Sequence, residues 1–458
     1  MEKIPKNILL VDILAEHNHE IKFLYKKNLC MKLLIIAGGK GSRLGLKNIP
    51  KPMVEICGKP ILEYQIELAK RYKIYDIFIL TGYLSHVIEN YFLDGRNHGV
   101  NIKYFREEFP LGTAGAIKNI QKYIDTRFMV FYGDTIMDIN LKKFIEFDSK
   151  NKSLGTLLVH PNDHPYDSDL VEIGEESNLI INFFPKPHDS KYRPNLVNAA
   201  LYILSPNILN HINENENLDF GKDIFPKLIN NNSGLYAYKT AEYIKDMGTP
   251  DRLKKISADI ESGKVSRLNN SNKRKAIFID RDGVINKEVD ELIDENDFEL
   301  IGGVAASIKK INKSEYLAIL VTNQPMIAKG KLSFLELKKI HNKLETLIGI
   351  NGAYLDDIFY CPHHPESGFI GEIKSLKRKC NCRKPNIGMI KKAERLYNID
   401  LNRSFIIGDR TVDIKTGENA KIKTVLVKTG YAGNDRKFNC NPDYTFLNFN
   451  EAISQIIN

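Results

Sequence analysis

Two aspartates two residues apart, at the end of an apolar run, can do covalent phosphate chemistry. The stretch "KAIFIDRDGVIN", residues 275–286, ends this way with Asp280 and Asp282. Side chains two apart on an extended backbone project to the same side. Such a pair can share a metal, or one carboxylate can attack phosphorus while the other moves a proton. The plainer reading is a turn with two solvated carboxylates. Downstream, "LAILVTNQ" ends in Thr322 and Asn323, a hydroxyl and an amide that can donate to a phosphate. "CRKP" offers Arg383 and Lys384, and "SFIIGDRTVD" ends in Asp409 with Asp413 one helical turn on. Asp280, Asp409 and a Mg²⁺ ion would offset the charge of a substrate phosphate.

The stretch "CPHHPESGFIGEIKSLKRKCNCRKP", residues 361–385, concentrates three of the 6 Cys and two of the 11 His. Cys361 and His363 form C-x-H, and Cys380 and Cys382 form C-x-C. Two close pairs separated by a loop suit tetrahedral Zn²⁺, and four ligands make the site structural, since no position is left for water. The C-x-H spacing favours His363, with His364 as the competing ligand. A redox role needs C-x-x-C, which is absent.

The first half of the chain offers a different phosphate chemistry. "AGGKGSRLG" follows an apolar run. It lacks the G-K-[ST] of a Walker loop, and Leu44 stands where a dinucleotide loop has its third Gly. What remains is either a tight turn or a loop whose Gly38, Gly39 and Gly41 let backbone N–H groups approach a phosphate, with Arg43 as a cationic clamp. "IPKPM" sets Lys51 between two prolines, which fix the local backbone and present the ammonium as a point charge. "LGTAGA" is a second small-residue loop, where a base or ribose could approach Gly112, Thr113, Ala114 and Gly115. "FYGDT" places Asp134 at the carboxyl end of an apolar run, where ligands bind in open α/β sheets. "IKDMGTPDRL" adds Asp246 just before a helical pattern.

Positioning these groups requires strands that end at one edge of a sheet. Both motif sets begin with a buried-type strand feeding a loop, at Met31 and at Lys273. Strand-like runs then alternate with helix-like segments, as in "DIFILTGY", "RFMVFYGDT" and "GTLLVH" and again in "DIFYCP" and "KTVLVKTG". This alternation predicts an α/β protein of two Rossmann-like domains with mostly parallel sheets. The expected division is an extension over 1–30, a first domain over 31–262, a polar linker over 263–274 and a second domain over 275–458. The extension is either an added strand and helix or an upstream start that contributes little. "NENEN" at 213–217 reads as a loop tip.

A net charge of +9 spread over 458 residues, mostly as scattered Lys, gives no nucleic-acid arm and suits small anionic partners. No apolar run approaches a membrane span, and the first residues lack a secretory pattern. A cytoplasmic, reducing location is expected, with no nucleic-acid or membrane partner; the oligomeric state is left open.

Together, G-G-x-G-x-R-L, P-K-P, L-G-T-A-G, G-D and D-x-G-T-P resemble the sugar-1-phosphate nucleotidyltransferases over residues 31–262. The resemblance implies a Rossmann-like fold and attack by a sugar phosphate on the α-phosphate of a nucleoside triphosphate. It implies that Gly38, Gly39, Gly41 and Arg43 hold the triphosphate, Lys51 stabilises the transition state, and Asp134 and Asp246 bind Mg²⁺. Gly112 to Gly115 would meet the nucleoside, and Glu172, Lys186 and Asn198 the sugar. One departure is "FFPKP", with Pro185 where the family often has an acidic residue before Lys-Pro.

Residues 275–432 resemble the haloacid dehalogenase superfamily. That implies Asp280 as nucleophile, Asp282 as acid and then base, Asp409 and the Asp282 carbonyl in a Mg²⁺ site, and Thr322 and Lys384 on the phosphoryl group. The further set V-T-N-Q, C-P-H-H-P and C-x-C-R-K-P narrows the resemblance to the heptose-1,7-bisphosphate 7-phosphatases and the related histidinol-phosphate phosphatases. A zinc-clamped loop would then deliver Arg383 and Lys384. Here Pro325 and Met326 replace the usual Ser-Gly. Removing a 7-phosphate leaves heptose 1-phosphate, so the two resemblances imply consecutive steps toward a nucleotide-activated heptose. GTP is the expected nucleotide because manno-type relatives commonly use it.

Overall fold

The computed structural model describes residues 31–457 apart from 40, 42–44, 46, 47, 152, 175, 176, 190, 232 and 233. The extension over 1–30 and Arg43 therefore lie outside the described residues. Lys32–Ala37 is apolar after its first residue, and Leu33, Leu34 and Ile35 are fully buried. A strand apolar on both faces belongs at the centre of a covered sheet. It pairs in parallel with Asp76–Thr81 on one side and Phe128–Tyr132 on the other, and Asn101–Arg106 extends the parallel set.

Beyond Phe128–Tyr132 the direction reverses. Val197–Leu204 runs antiparallel to it, and Gly155–His160 and Leu170–Ile173 run antiparallel to Val197–Leu204. The 9-stranded sheet is thus mixed, parallel on one flank and largely antiparallel on the other. A separate two-stranded ribbon joins Thr135–Asp138 to Tyr243–Asp246, with Asp246 opposite Thr135. The helix Ile61–Arg71 covers the sheet with Ile61, Leu62, Ile66 and Ala69, spaced to share one face.

The second sheet has six strands in the order Asp357–Cys361, Tyr316–Asn323, Lys275–Ile279, Phe405–Gly408, Lys423–Val427 and Tyr444–Phe446. Every neighbouring pair is parallel, so all carboxyl ends face one edge. Asp280, Thr322, Cys361 and Asp409 gather there.

The first half of the chain docks at the opposite edge. Pro250–Glu261, capped by the Thr249 hydroxyl, leads into Lys264–Arg267 and then to buried Asn269 and Asn270. Buried Arg274 donates to the carbonyls of Tyr397 (2.7 Å), Leu268 (3.2 Å) and Ala241 (3.3 Å), tying the halves together. Lys239 pairs with Asp357 at 2.5 Å, at the start of its strand. Tyr316–Asn323 separates the docking edge from the carboxylate edge by about 23 Å at the usual rise per strand residue.

Candidate active sites

At the carboxyl edge of the second sheet, side-chain oxygens of Asp280, Asp409 and Asp413 lie within 4.8 Å of one another, all buried. Asp413 comes from the first turn of Thr411–Ala420. Lys384 enters this acidic group, with Nζ 2.8 Å from Asp280 and 2.5 Å from Asp413, and also donates to the Val321 carbonyl at 3.0 Å. Burial alone would lower its ammonium pKa, but the two carboxylates raise it. Asp409 lacks such a partner. Burial, then the charges of Asp280 and Asp413, push it up to about 8, against the Tyr431 N–H that it accepts at 2.7 Å. Its Oδ1 is buried with no hydrogen-bond partner.

Gly283 and Gly430 both have positive φ and cradle this carboxylate: an added Cβ would fall 2.5 and 2.2 Å from Asp409 Oδ2. Crowded carboxylates, one with an orphan oxygen, form a donor set suited to a hard divalent cation.

Asp282 faces the same edge. It accepts from Arg281 at 3.0 Å, Asn286 at 3.0 Å and Gln324 at 3.1 Å. Burial favours its neutral form, but Arg281, Asn286 and Gln324 outweigh burial and lower its pKa. Thr322 Oγ1 accepts from Gln324 at 2.8 Å, which leaves its own proton to donate. Asn323 is committed to the backbone of Lys384, accepting at 3.0 Å and donating at 3.2 Å. It positions that residue.

Beside this edge, the sulfurs of Cys361, Cys380 and Cys382 lie 3.2–3.5 Å apart. His363 Nδ1 is 3.6 Å from Cys361 and 3.3 Å from Cys382. These four atoms form a compact tetrahedral set, and the neighbouring Cys361, Cys380 and His363 lower the Cys382 thiol despite burial. His364 turns away, stacking edge-on with Phe369, so the C-x-H alternative falls to His363. The Arg383 N–H reaches Cys380 Sγ at 3.4 Å, so the cluster directly fixes the chain that carries Arg383 and Lys384.

A cavity of about 610 Å³ at the junction of the two halves is lined by Gly39, Gly41, Lys51, Asp134, Lys186, Asn198 and Asp246 of the first half and by Lys309, Tyr316 and Asp356, among others, of the second. Lys51 forms a short ion pair with Asp134. The Asp134 carbonyl accepts from Met247 N–H at 3.1 Å, which sets Asp246 beside it. Arg252 clasps Asp246 at 2.7 and 2.9 Å. Gly112 and Gly115 pack against the backbone of Leu218 and Glu216, where an added Cβ would fall 2.4 and 2.3 Å from a carbonyl oxygen. Ala114 N–H donates to the Leu218 carbonyl at 2.8 Å, and Thr113 to Asp219 at 2.8 Å. The "NENEN" run thus buttresses these residues, which open the helix Gly112–Asn119 rather than form the loop expected from the sequence. Glu172 is not among the cavity-lining groups: its carboxylate pairs with Lys338 of the second half at 2.5 Å and accepts from Asn182 at 2.6 Å.

Two groups escaped the motif reading, and a third, Asp413, was named one helical turn after Asp409 but given no role. Arg252 sat in an ordinary helical pattern. Glu107 lies against Gly38, whose added Cβ would fall 2.5 Å from Glu107 Oε2. Burial raises Glu107 to about 7, opposed by a backbone hydrogen bond from Leu111, and its Oε1 has no partner. It therefore touches both stretches that the resemblance assigns to the nucleotide.

The nucleotidyl transferase family model matches residues 32–263, and the HAD-hydrolase-like model matches residues 381–452. A D-glycero-alpha-D-manno-heptose-1,7-bisphosphate 7-phosphatase from Photorhabdus laumondii is 41% identical over 161 residues, 35% of this chain and 86% of that protein. A UTP–glucose-1-phosphate uridylyltransferase from Synechocystis is 30% identical over 222 residues, 45% of this chain and 57% of that protein. The crystal structure of HddC from Yersinia pseudotuberculosis is 29% identical with a TM-score of 0.44, covering 50% of this chain and 99% of that one.

Proposed function

The chain belongs to the nucleotidyl transferase family through residues 32–263 and, through its second half, to the HAD-type heptose-1,7-bisphosphate 7-phosphatases, and from this we propose a bifunctional enzyme of nucleotide-activated heptose synthesis. The observation that carries the reading is the Lys384–Asp280–Asp413 group beside Asp409, with Lys384 on the same segment as a Cys₃His cluster.

In the phosphatase step, an Asp280 oxygen attacks phosphorus of the 7-phosphate and the bond to the C7 oxygen breaks. Asp282 gives that oxygen a proton. Water then attacks phosphorus of the aspartyl phosphate while Asp282 takes its proton; the bond to the Asp280 oxygen breaks, restoring the carboxylate and releasing inorganic phosphate. Asp282 is ionised in the free protein, and the approach of an anionic phosphate raises its affinity for the proton it must donate. Lys384 and the free Thr322 hydroxyl neutralise and orient the transferring group, and Arg383 faces the rest of the substrate.

In the transfer step, an oxygen of heptose 1-phosphate attacks the α-phosphorus of the nucleoside triphosphate and pyrophosphate leaves. Lys51, paired with Asp134 in the free protein, turns its ammonium to the triphosphate held by Gly38, Gly39, Gly41 and Arg43. Lys186 and Asn198, which line the cavity, would meet the sugar. GTP is the proposed nucleotide: Glu107, packed against Gly38 with a buried Oε1 that has no partner, is a carboxyl that could accept from the N–H groups on the edge of guanine.

A divalent cation, proposed as Mg²⁺, would be held by Asp280, Asp409 and the Asp282 carbonyl in one site and by Asp134 and Asp246 in the other, neutralising phosphate charge. Zn²⁺ is proposed for the Cys361, His363, Cys380 and Cys382 set, as a structural clamp. The proposed compartment is the cytoplasm, with sugar phosphates and nucleoside triphosphate as partners.

The test is phosphorus NMR of the chain with heptose 1,7-bisphosphate. The 7-phosphate signal should give way to inorganic phosphate while the 1-phosphate persists until GTP is added. Release of the 1-phosphate, or no turnover, overturns the proposal.

A further inference from the structure

The loop over residues 161–169 forms one wall of the transfer cavity. It is bonded to both sugar-side residues. Lys186 Nζ donates to the Asp167 carbonyl at 2.9 Å, Lys186 N–H to Asp169 at 3.1 Å, and Asn198 N–H to the Asp169 carbonyl at 2.9 Å. Its one regular piece is the turn Pro165–Asp167, so side-chain bonds set its shape. Asn162 accepts from His164 N–H at 3.0 Å and donates to Ser168 at 3.0 Å. Asn195 joins Asn162 by two bonds, 2.8 and 3.2 Å, and both side chains are buried.

Asn195 is held in turn by the other half of the molecule. The helix Phe334–Ile350 presents Glu345, which accepts from Asn195 N–H at 3.1 Å. Its Thr346 hydroxyl exchanges bonds with the Arg193 backbone, accepting at 3.1 Å and donating at 3.3 Å. Pro194 has no N–H, so Glu345 and Thr346 satisfy every backbone donor of 193–195. Near the end of the helix, Gly349 lies against Pro165, where an added Cβ would fall 2.9 Å from the proline ring. Among the described residues, Gly38, Gly39, Lys51 and Gly112–Gly115 have no hydrogen bond to this helix.

The geometry points to a second task for the phosphatase half: Glu345 and Thr346 are positioning residues for nucleotidyl transfer, fixing 193–195 and, through Asn162, the sugar-side wall of the cavity. This rests on the cavity being the transfer site. The fusion then does more than tether two activities, since the edge of the phosphatase remote from its own carboxylates completes the shape of the other site. Phe334–Ile350 also contacts phosphatase chemistry through His341, 3.3 Å from Arg281, but Glu345 and Thr346 face the transferase.

The test compares Glu345→Ala, Glu345→Gln and Asn195→Ala in the full chain. Glu345→Ala leaves a buried N–H unpaired and should raise KM for heptose 1-phosphate about tenfold. Glu345→Gln keeps an acceptor and should behave as the wild type. Asn195→Ala cuts the link to Asn162 and should match Glu345→Ala. KM for the nucleoside triphosphate and phosphatase turnover should stay unchanged in all three. Should Glu345→Ala fold poorly, seen as a parallel loss of phosphatase activity, Asn195→Ala decides. A sugar-phosphate KM unchanged in Asn195→Ala, or a nucleotide KM rising equally, overturns the inference. If the wild type prefers another sugar 1-phosphate, the heptose reading falls, and the same comparison with that sugar still decides the positioning role.

Discussion

Removing the Mg²⁺ proposed for the carboxylate edge should destabilise the protein far more at pH 8 than at pH 5. Without a cation, Asp409 is raised from 3.8 to about 8, first by burial and then by Asp280 and Asp413. A carboxyl whose folded pKa exceeds its unfolded value binds its proton more tightly when folded. The metal-free fold therefore loses stability as pH rises from about 4 to about 8, and the loss is complete above the folded value. The difference between 3.8 and about 8 sets a ceiling of about 5–6 kcal/mol. For a unit of the size of the second half, that is a Tm difference of roughly 10–20 °C. The assay is thermal unfolding of protein dialysed free of Mg²⁺ and of the same protein with Mg²⁺ restored, at steps from pH 5 to pH 8. No chelator strong enough to strip a thiolate-held ion is used. The Mg²⁺ increment should grow across this range and largely vanish in Asp409→Asn. An increment equal at pH 5 and pH 8 refutes the reasoning.

Asp280→Asn removes the proposed nucleophile and should cut phosphate release at least about 10³-fold while pyrophosphate release continues; joint loss would contradict two separate sites. Cys382→Ser breaks the four-ligand set, so metal analysis should fall from about one zinc per chain to near none. Phosphatase activity should drop with it and nucleotidyl transfer should persist. Glu107→Gln replaces one acceptor oxygen with a donor, and should lower kcat/KM for GTP about tenfold without a matching loss for ATP. An unchanged GTP/ATP ratio would remove Glu107 from base selection.

The groups legible in the sequence stand at strand ends. Asp280, Thr322 and Asp409 close apolar runs, and parallel pairing brings those ends to one edge. The Cys/His set was legible because its two pairs are local. The direction of the first sheet beyond Phe128–Tyr132 was not, since an apolar run such as "GTLLVH" has the same pattern in a parallel or an antiparallel pair. Contacts made by docking were equally hidden. Glu172 meets Lys338 and Asn195 meets Glu345 across about 150 residues or more, and nothing local marks either pair. Glu107 gave no signal because its distinction is an oxygen left without a partner. The Gly residues of "LGTAGA" were legible as necessary, but part of the reason lies in the backbone of 216–218 packed against them.

The central claim is that one chain takes heptose 1,7-bisphosphate to a nucleotide-activated heptose. Mass spectrometry of a single incubation with heptose 1,7-bisphosphate, GTP and Mg²⁺ tests it most directly. The account predicts GDP-heptose, with one equivalent each of phosphate and pyrophosphate. Heptose 1-phosphate that accumulates without any nucleotide sugar, whichever nucleoside triphosphate is supplied, would contradict it.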